Sequence, residues 1–343
     1  MPEVLPTQRH ALPPTSRDSA LFALAARRED LRRETYDQAV DQGELVVAHI
    51  IRGAIHMLAA ADFGLYGRAL VATDDDELGA QLGRQFQQLA VQTGIAPTDA
   101  LDKVAQATTD ALGDGRALTK NELHDELRQR VSADLMPWCK GCESHHVAPM
   151  LWRYGTVVAG ARLDSQRRYV LGRPGRTPPG AKAVRLFLRF YGPATVGDFG
   201  DWAGVAKPHA NRLWQQVVGE LSEIAMGSDK GWVLRDDAPG LDSPPEAKGI
   251  RLIPPGDPYL GKPNRSLLAP DVEVRKRLFR PVASPGAVLK DGRLVGLWRV
   301  KTKGKKAEIT VEKLGRLARA DLEPEVQRIA DLRGAAQATL VLH

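Results

Sequence analysis

The sequence predicts an α+β protein made of three tandem winged helix-turn-helix modules followed by a small β-domain, and three observations carry that expectation. Residues 185–236 read as a complete helix, helix, helix, hairpin unit. A helix opened by a T-x-x-E/D box recurs earlier with similar neighbours in the same order, which is the mark of an internal repeat. From Gly249 onward the composition turns to proline, glycine and strand-forming residues. The chain has 343 residues, room for several cores of ordinary size. The expected division is a degenerate first module at 1–72, a linker helix at 73–96, a second module at 97–175, a third at 176–248, and a β-domain with a closing helix at 249–343.

In the first module, residues 18–28 and 35–41 are expected as helices, and LVVAHIIRGAIHML at 45–58 as strands. The acidic and glutamine-rich piece at 73–93 predicts one long helix, its aspartates suited to a helix N-terminus. The second module has an amphipathic helix at 98–112, a Gly113-Asp114-Gly115 turn, and a capping box from Thr119 to Glu122. The helix that the box opens runs to about residue 131, followed by a helix over 147–159 and a short strand at 168–171.

The third module is the clearest. Val184, Leu186, Phe187, Leu188, Phe190 and Tyr191 form an apolar-periodic helix that stops at Gly192-Pro193. Thr195 stands three residues before Asp198 and opens a short helix over 196–202, which Gly204 ends. The next helix, from Lys207 to about residue 219, carries Leu213, Trp214, Val217 and Val218 on one face. Strand-like runs at 221–226 and 232–235 then make a hairpin, the wing, with Lys230 at its tip. In such modules the third helix enters the major groove, so Lys207, His209, Asn211, Arg212 and Gln215 are the side chains expected to be exposed and to meet phosphates or base edges. The same architecture also serves as a protein-docking module.

In the β-domain, Asp291-Gly292 between apolar runs at 286–290 and 293–300 is a strong hairpin signal. A further strand at 307–311 completes a second hairpin carrying Lys301, Lys303, Lys305 and Lys306. These lysines fit a phosphate backbone or a solvated basic loop equally well on charge alone. A helix at 323–334 is expected to close the domain.

Lys and Arg total 48 against 42 acidic residues, a net charge of +6 and a pI near 9.3, which suits a polyanionic partner. The apolar runs are too short to span a bilayer, and the Pro-, Arg- and Thr-rich N-terminus has no signal-peptide core, so a cytoplasmic, nucleoid-associated protein that avoids the membrane is expected. Two cysteines three residues apart agree with a reducing compartment. They belong to Trp138-Cys139-Lys140-Gly141-Cys142-Glu143-Ser144-His145-His146, for which three readings stand: turn packing, a metal knuckle and a redox pair. Both histidines follow too closely for all four ligands to surround one ion easily, and no strand-then-helix redox context is present, so turn packing is the expectation and no metal or cofactor is assigned.

RGAIHML at 52–58, YGPATVGDF at 191–199, PPGDPYLGKPNRSLL at 254–268 and RPVASPGAVLKDGRLVGLWR at 280–299 together resemble the AlkZ-like (YcaQ-type) winged-helix DNA glycosylases, in the right order over nearly the whole chain. The resemblance implies a C-shaped clamp around double-stranded DNA that carries damage, excision of bulky alkylated or cross-linked purines, and a monomer needing no cofactor. It also implies a catalytic Gln-aliphatic-Gln or Gln-aliphatic-Asp triplet before the first helix. Anchored on SALFAL at 19–24, that triplet falls on Pro13-Pro14-Thr15, so both glutamines are absent.

Breaking an N-glycosidic bond needs a group that orients water and steadies an oxocarbenium-like sugar, and proline offers only its carbonyl. Thr15 and Asp18 are the candidates left in that loop, with Ser16. Asp18 is the carboxylate among them, and its bland role is to cap the next helix. His56 is the third catalytic candidate. His49 lies an odd number of residues away, which puts the two on opposite faces of a continuous strand unless a turn intervenes near Arg52-Gly53. Arg52 is expected as a phosphate contact or a buried anchor. Two functions remain open: a glycosylase acting on alkylpurines, and a non-catalytic DNA-binding or regulatory protein that has lost the catalytic triplet.

Overall fold

The computed structural model describes residues 19–139, 149–172, 178–226, 229–261 and 265–343. In chain order it begins with helices α1 (Ser19–Ala25) and α2 (Arg33–Asp41), strands β1 (Leu45–His49) and β2 (Ile55–Ala59), and the short helix α3 (Phe63–Tyr66). Helices α4 (Asp75–Leu82), α5 (Arg84–Thr93), α6 (Pro97–Ala111), α7 (Lys120–Arg130) and α8 (Met150–Ala159) follow, then strands β3 (Ala161–Leu163) and β4 (Tyr169–Leu171). Next come α9 (Ala181–Tyr191), α10 (Val196–Ala203), α11 (Lys207–Gln215), β5 (Leu221–Met226), β6 (Asp229–Leu234) and α12 (Pro239–Asp242). The last part holds β7 (Ile250–Ile253), α13 (Arg265–Leu268), α14 (Val272–Leu278), β8 (Gly286–Lys290), β9 (Arg293–Lys303), β10 (Lys306–Lys313), α15 (Arg319–Leu332) and β11 (Gln337–Leu342). Among the described residues no helix is long and apolar enough to cross a membrane.

The described chain forms two compact units, one from residues 39–239 and the other from residues up to 38 together with 240–343. In the first unit, both capping boxes form as their spacing predicts. The Thr119 hydroxyl accepts from the Glu122 amide while Glu122 accepts from the Thr119 amide at 2.7 Å; Thr195 and Asp198 make the same exchange at 3.1 and 2.9 Å. Gly204, at φ +68°, supplies the left-handed residue that ends α10. The expected long helix at 73–93 is two helices, because Gly83 at φ +114° breaks it; Asp74 caps the first through the amides of Asp76 and Glu77.

Strands expected in separate repeats share one sheet, in the order β2-β1-β3-β4, with β1 and β3 joined antiparallel at Val47 and Leu163. One core gathers Phe86, Leu101, Val104, Leu127, Trp138 and Trp152, and another gathers Tyr66, Phe187, Phe199 and Trp214. The second core seats α9, α10 and α11, after which β5 and β6 pair antiparallel from Leu221 with Leu234 to Met226 with Asp229.

The second unit is a sheet in the order β11-β10-β9-β8-β7. Neighbours are antiparallel except β11, which returns through α15 to lie parallel to β10, so the expected closing helix is a crossover rather than the end of the fold. Trp298 on β9 is 1% exposed and donates from Nε1 to the Ile253 carbonyl at 2.8 Å. Gly286 makes room for it, since a Cβ there would stand 2.2 Å from the indole nitrogen. Helix α1 packs Phe22 edge-on against Trp298, ring centroids 6.5 Å apart. Arg27, just beyond α1, grips the fully buried Asp257 carboxylate with two bonds of 2.7 Å.

Candidate nucleic-acid interface and reaction site

Helix α11 buries Ala210, Leu213 and Trp214 and exposes Lys207, Asn211, Arg212 and Gln215, a polar face of cations and amides suited to phosphates and base edges. His209, expected on that face, is 4% exposed instead: the helical period turns it inward, and its Nδ1 lies 3.9 Å from Glu77 without a hydrogen bond. Burial lowers its pKa, against the pull of Glu77, so the ring is a neutral packing residue. Arg212 is half-exposed but not free. Its two terminal nitrogens both bond the Glu77 carboxylate, one at 2.6 Å, and Glu77 keeps 10% side-chain exposure in the first turn of α4. The acidic segment that reads as a mere linker thus holds the guanidinium in place. Lys230, expected at a hairpin tip, lies within β6 opposite Ala225 of β5, and its ammonium meets the exposed Glu223 carboxylate at 2.6 Å.

The RGAIH turn is built into this module. A turn does intervene near Arg52-Gly53, and Arg52 takes the left-handed conformation (φ 58°, ψ 24°). Its guanidinium donates to the Asp201 and Trp202 carbonyls at 3.3 Å, in the last turn of α10, where a cation is favoured. Gly204 is required twice over, by its positive φ and because a Cβ would come 2.3 Å from Arg52 Cγ. Arg52 is therefore an anchor with an exposed side chain.

The hairpin register sets Ala48 opposite His56 and His49 opposite Ile55, so the two histidines still face opposite sides of the sheet. His56, a catalytic candidate from sequence, is 3% exposed; its Nδ1 bonds the Ala54 carbonyl at 2.9 Å, and burial pushes its pKa down to about 4. It braces the Arg52 turn through Nδ1. His49 does the same from the other side through Gly53 O at 2.9 Å, with its pKa also about 4 through burial. A carbonyl can only accept, so Nδ1 carries the proton and Nε2 accepts from the Tyr169 hydroxyl at 2.9 Å. Burial raises that phenol to about 12 and keeps it a donor.

In the second unit, Lys301, Lys303, Lys305 and Lys306 are all exposed, with Lys303 directly opposite Lys306. Among the described residues none of the four has a carboxylate partner, and like charges face to face ask for a counter-anion. Ser19, the first described residue, lines a cavity of about 190 Å³ with Phe22, Pro254, Pro255, Trp298 and Arg299. Aromatic and proline side chains together with an arginine in the lining suit a planar base carrying a charged backbone. Thr15 and Asp18 lie outside the described residues, as do Cys142, His145 and His146 of the Cys-His cluster. Glu77, Arg27 and Asp257 were missed by sequence reasoning. The run PPGDPYL surrounding Asp257 is the one signal that could have found any of them.

A family model described as DNA glycosylase AlkZ-like matches residues 11–332. The chain is 27% identical over 304 residues to the interstrand DNA cross-link repair glycosylase of Streptomyces sahachiroi, covering 82% of this chain and 76% of that protein. The solved structure of the Streptomyces sahachiroi DNA glycosylase AlkZ superposes with a TM-score of 0.75 at 22% identity, covering 97% of this chain and 91% of that one, a likeness of fold.

Proposed function

The chain belongs to the AlkZ-like DNA glycosylase family, and from that premise we propose that it excises alkylated or bulky purine adducts from duplex DNA as a monomeric, monofunctional enzyme of the cytoplasm. The match over residues 11–332 carries the reading. Tandem winged helix-turn-helix modules hold the duplex: α9 to β6 is one, with Lys207, Asn211, Arg212 and Gln215 toward the DNA, and the Lys301 to Lys306 hairpin lies on phosphates. Interstrand cross-links, for which the Streptomyces relative is named, fall within the same substrate class.

In the reaction, water attacks C1′ of the damaged nucleotide as the C1′–N bond breaks, its electron pair leaves with the purine, and the water's proton is transferred away. Positive charge develops on the sugar. Asp18 is the group of the 13–18 segment able to take that proton or balance that charge. His56, 3% exposed with its Nδ1 bonded to the Ala54 carbonyl, is next in line should the active group lie elsewhere. Pro13-Pro14 at the place of the glutamine triplet favours one second reading, DNA binding without catalysis.

Incubation of the protein with methylated or nitrogen-mustard-treated duplex, followed by alkali, separates the two. Excision leaves alkali-labile abasic sites, and Asp18→Asn lowers it by about two orders of magnitude or more, asparagine being as good a helix N-cap residue type as aspartate. Wild-type excision that Asp18→Asn leaves intact would remove Asp18 from the mechanism. Absence of abasic sites on any alkylated duplex would leave the binding reading.

A further inference from the structure

Within the second unit, a cavity of about 320 Å³ opens beside β9 and β10 and is lined by Arg277, Arg280, Arg299, Thr310, Glu312 and His343, among others. Its carboxylate side chain, Glu312, is already bonded by Arg277. Arg280 and Arg299 have no carboxylate partner among the described residues. They converge instead on one neutral acceptor, the Ala283 carbonyl, at 3.5 and 2.6 Å. Ala283 sits at φ +53°, a conformation costly for a residue with a side chain, and this turns its oxygen toward both guanidiniums. A single carbonyl dipole leaves most of two positive charges uncompensated. The arrangement registers on Arg299, whose pKa is lowered by burial and by the like charge of Arg280.

Two guanidiniums held together against their own repulsion, at the wall of an open cavity, are matched by one tetrahedral oxyanion, which accepts forked donors from both. We propose that Arg280 and Arg299 form a phosphate-binding site of the C-terminal β-domain. Thr310 adds a hydroxyl to the same cavity. The phosphate is either a diester of a DNA backbone or a monoester, free or at a strand end. The site stands on this cavity alone, so it survives or falls separately from the excision reading, which the abasic-site assay measures.

The test uses the full chain, with melting temperature followed in rising inorganic phosphate at constant ionic strength, and duplex affinity measured by anisotropy at several salt concentrations. Arg280→Gln removes one cation whose contact in the fold is a long one, so without phosphate it should melt no lower than wild type. It should raise the dissociation constant for inorganic phosphate by about tenfold or more and flatten the log-log salt dependence of duplex binding by about one unit, the share of one phosphate. Loss in both titrations, or in the duplex alone, supports the proposal with a backbone diester. Loss with inorganic phosphate alone supports it with a monoester. Arg280→Lys, which keeps the charge without the fork, should fall between the two proteins and gives the reading if the glutamine variant does not fold. An Arg280→Gln protein indistinguishable from wild type in both titrations overturns the proposal, and so, where the glutamine variant does not fold, does an Arg280→Lys protein indistinguishable from wild type in both.

Discussion

The clasp between Arg27 and Asp257 offers a quantitative test of how α1 is held, because its two partners are buried unequally. Asp257 has no exposed side-chain surface, receives both guanidinium nitrogens at 2.7 Å, and also accepts the Tyr259 amide at 2.8 Å. Arg27 keeps 22% of its side chain in water and spends a further bond on the Ala23 carbonyl. Breaking a buried pair by removing one partner costs about 3–5 kcal/mol, most of it from the charge left behind. In Asp257→Ala the stranded charge is the guanidinium, which can turn toward solvent, so the loss should sit near 3 kcal/mol. In Arg27→Ala the stranded charge is a carboxylate with no route to water, and the loss should approach 5 kcal/mol. Urea unfolding of both variants and of the double variant measures the two costs and their coupling. Because α1 directly follows the 13–18 segment, excision should fall in both variants under conditions where they remain folded. Two single losses below about 1 kcal/mol with no coupling would place the pair with ordinary surface ion pairs and refute the reasoning.

His49 and His56, both held near a pKa of 4 by burial, bind fewer protons in the folded chain than in the unfolded one, where the value is about 6.5. Their contribution is complete above pH 6.5 and is lost as pH falls toward 4, about 2 kcal/mol for each by pH 5; His49→Gln should flatten the denaturation midpoint against pH between 6.5 and 4.5, and an unchanged slope would remove His49 from the acid transition. Gly204→Ala should destabilise by about 2–3 kcal/mol through its φ of +68° and the 2.3 Å approach to Arg52 Cγ. An Arg52→Gly background should recover the part due to that approach, and full additivity of the two changes would show that the contact carries no energy. Replacing Lys303, Lys305 and Lys306 together should flatten the salt dependence of duplex affinity by roughly two to three units, whereas an unaltered slope would take the hairpin out of the interface.

The features legible from the amino-acid order alone are those whose physics is local. Thr119 with Glu122 and Thr195 with Asp198 satisfy helix amides three residues away, and Asp291-Gly292 makes its turn from its own backbone preferences, so each appears where the residue types require it. The exposed row of Lys207, Asn211, Arg212 and Gln215 also follows from the helical period. His209 shows where that reasoning stops: polarity suggested the surface, but the period and the packing of α11 put the ring inside. Gly83 was readable in principle as a helix break, although the run of helix formers around it outweighed one glycine in the reading. Pairing between distant segments had no local trace. The partner of Arg212 is 135 residues away in an acidic stretch that resembles any solvated linker, and the partner of Arg27 is 230 residues away. Strands β1 and β3 meet in one sheet although the repeat pattern assigns them to different modules, and β11 joins β10 only because α15 carries the chain back along the sheet. Which carboxylate neutralises which guanidinium, and which two arginines are left facing one cavity, depends on distances that arise when remote segments are packed together, and the order of residues along the chain does not contain those distances.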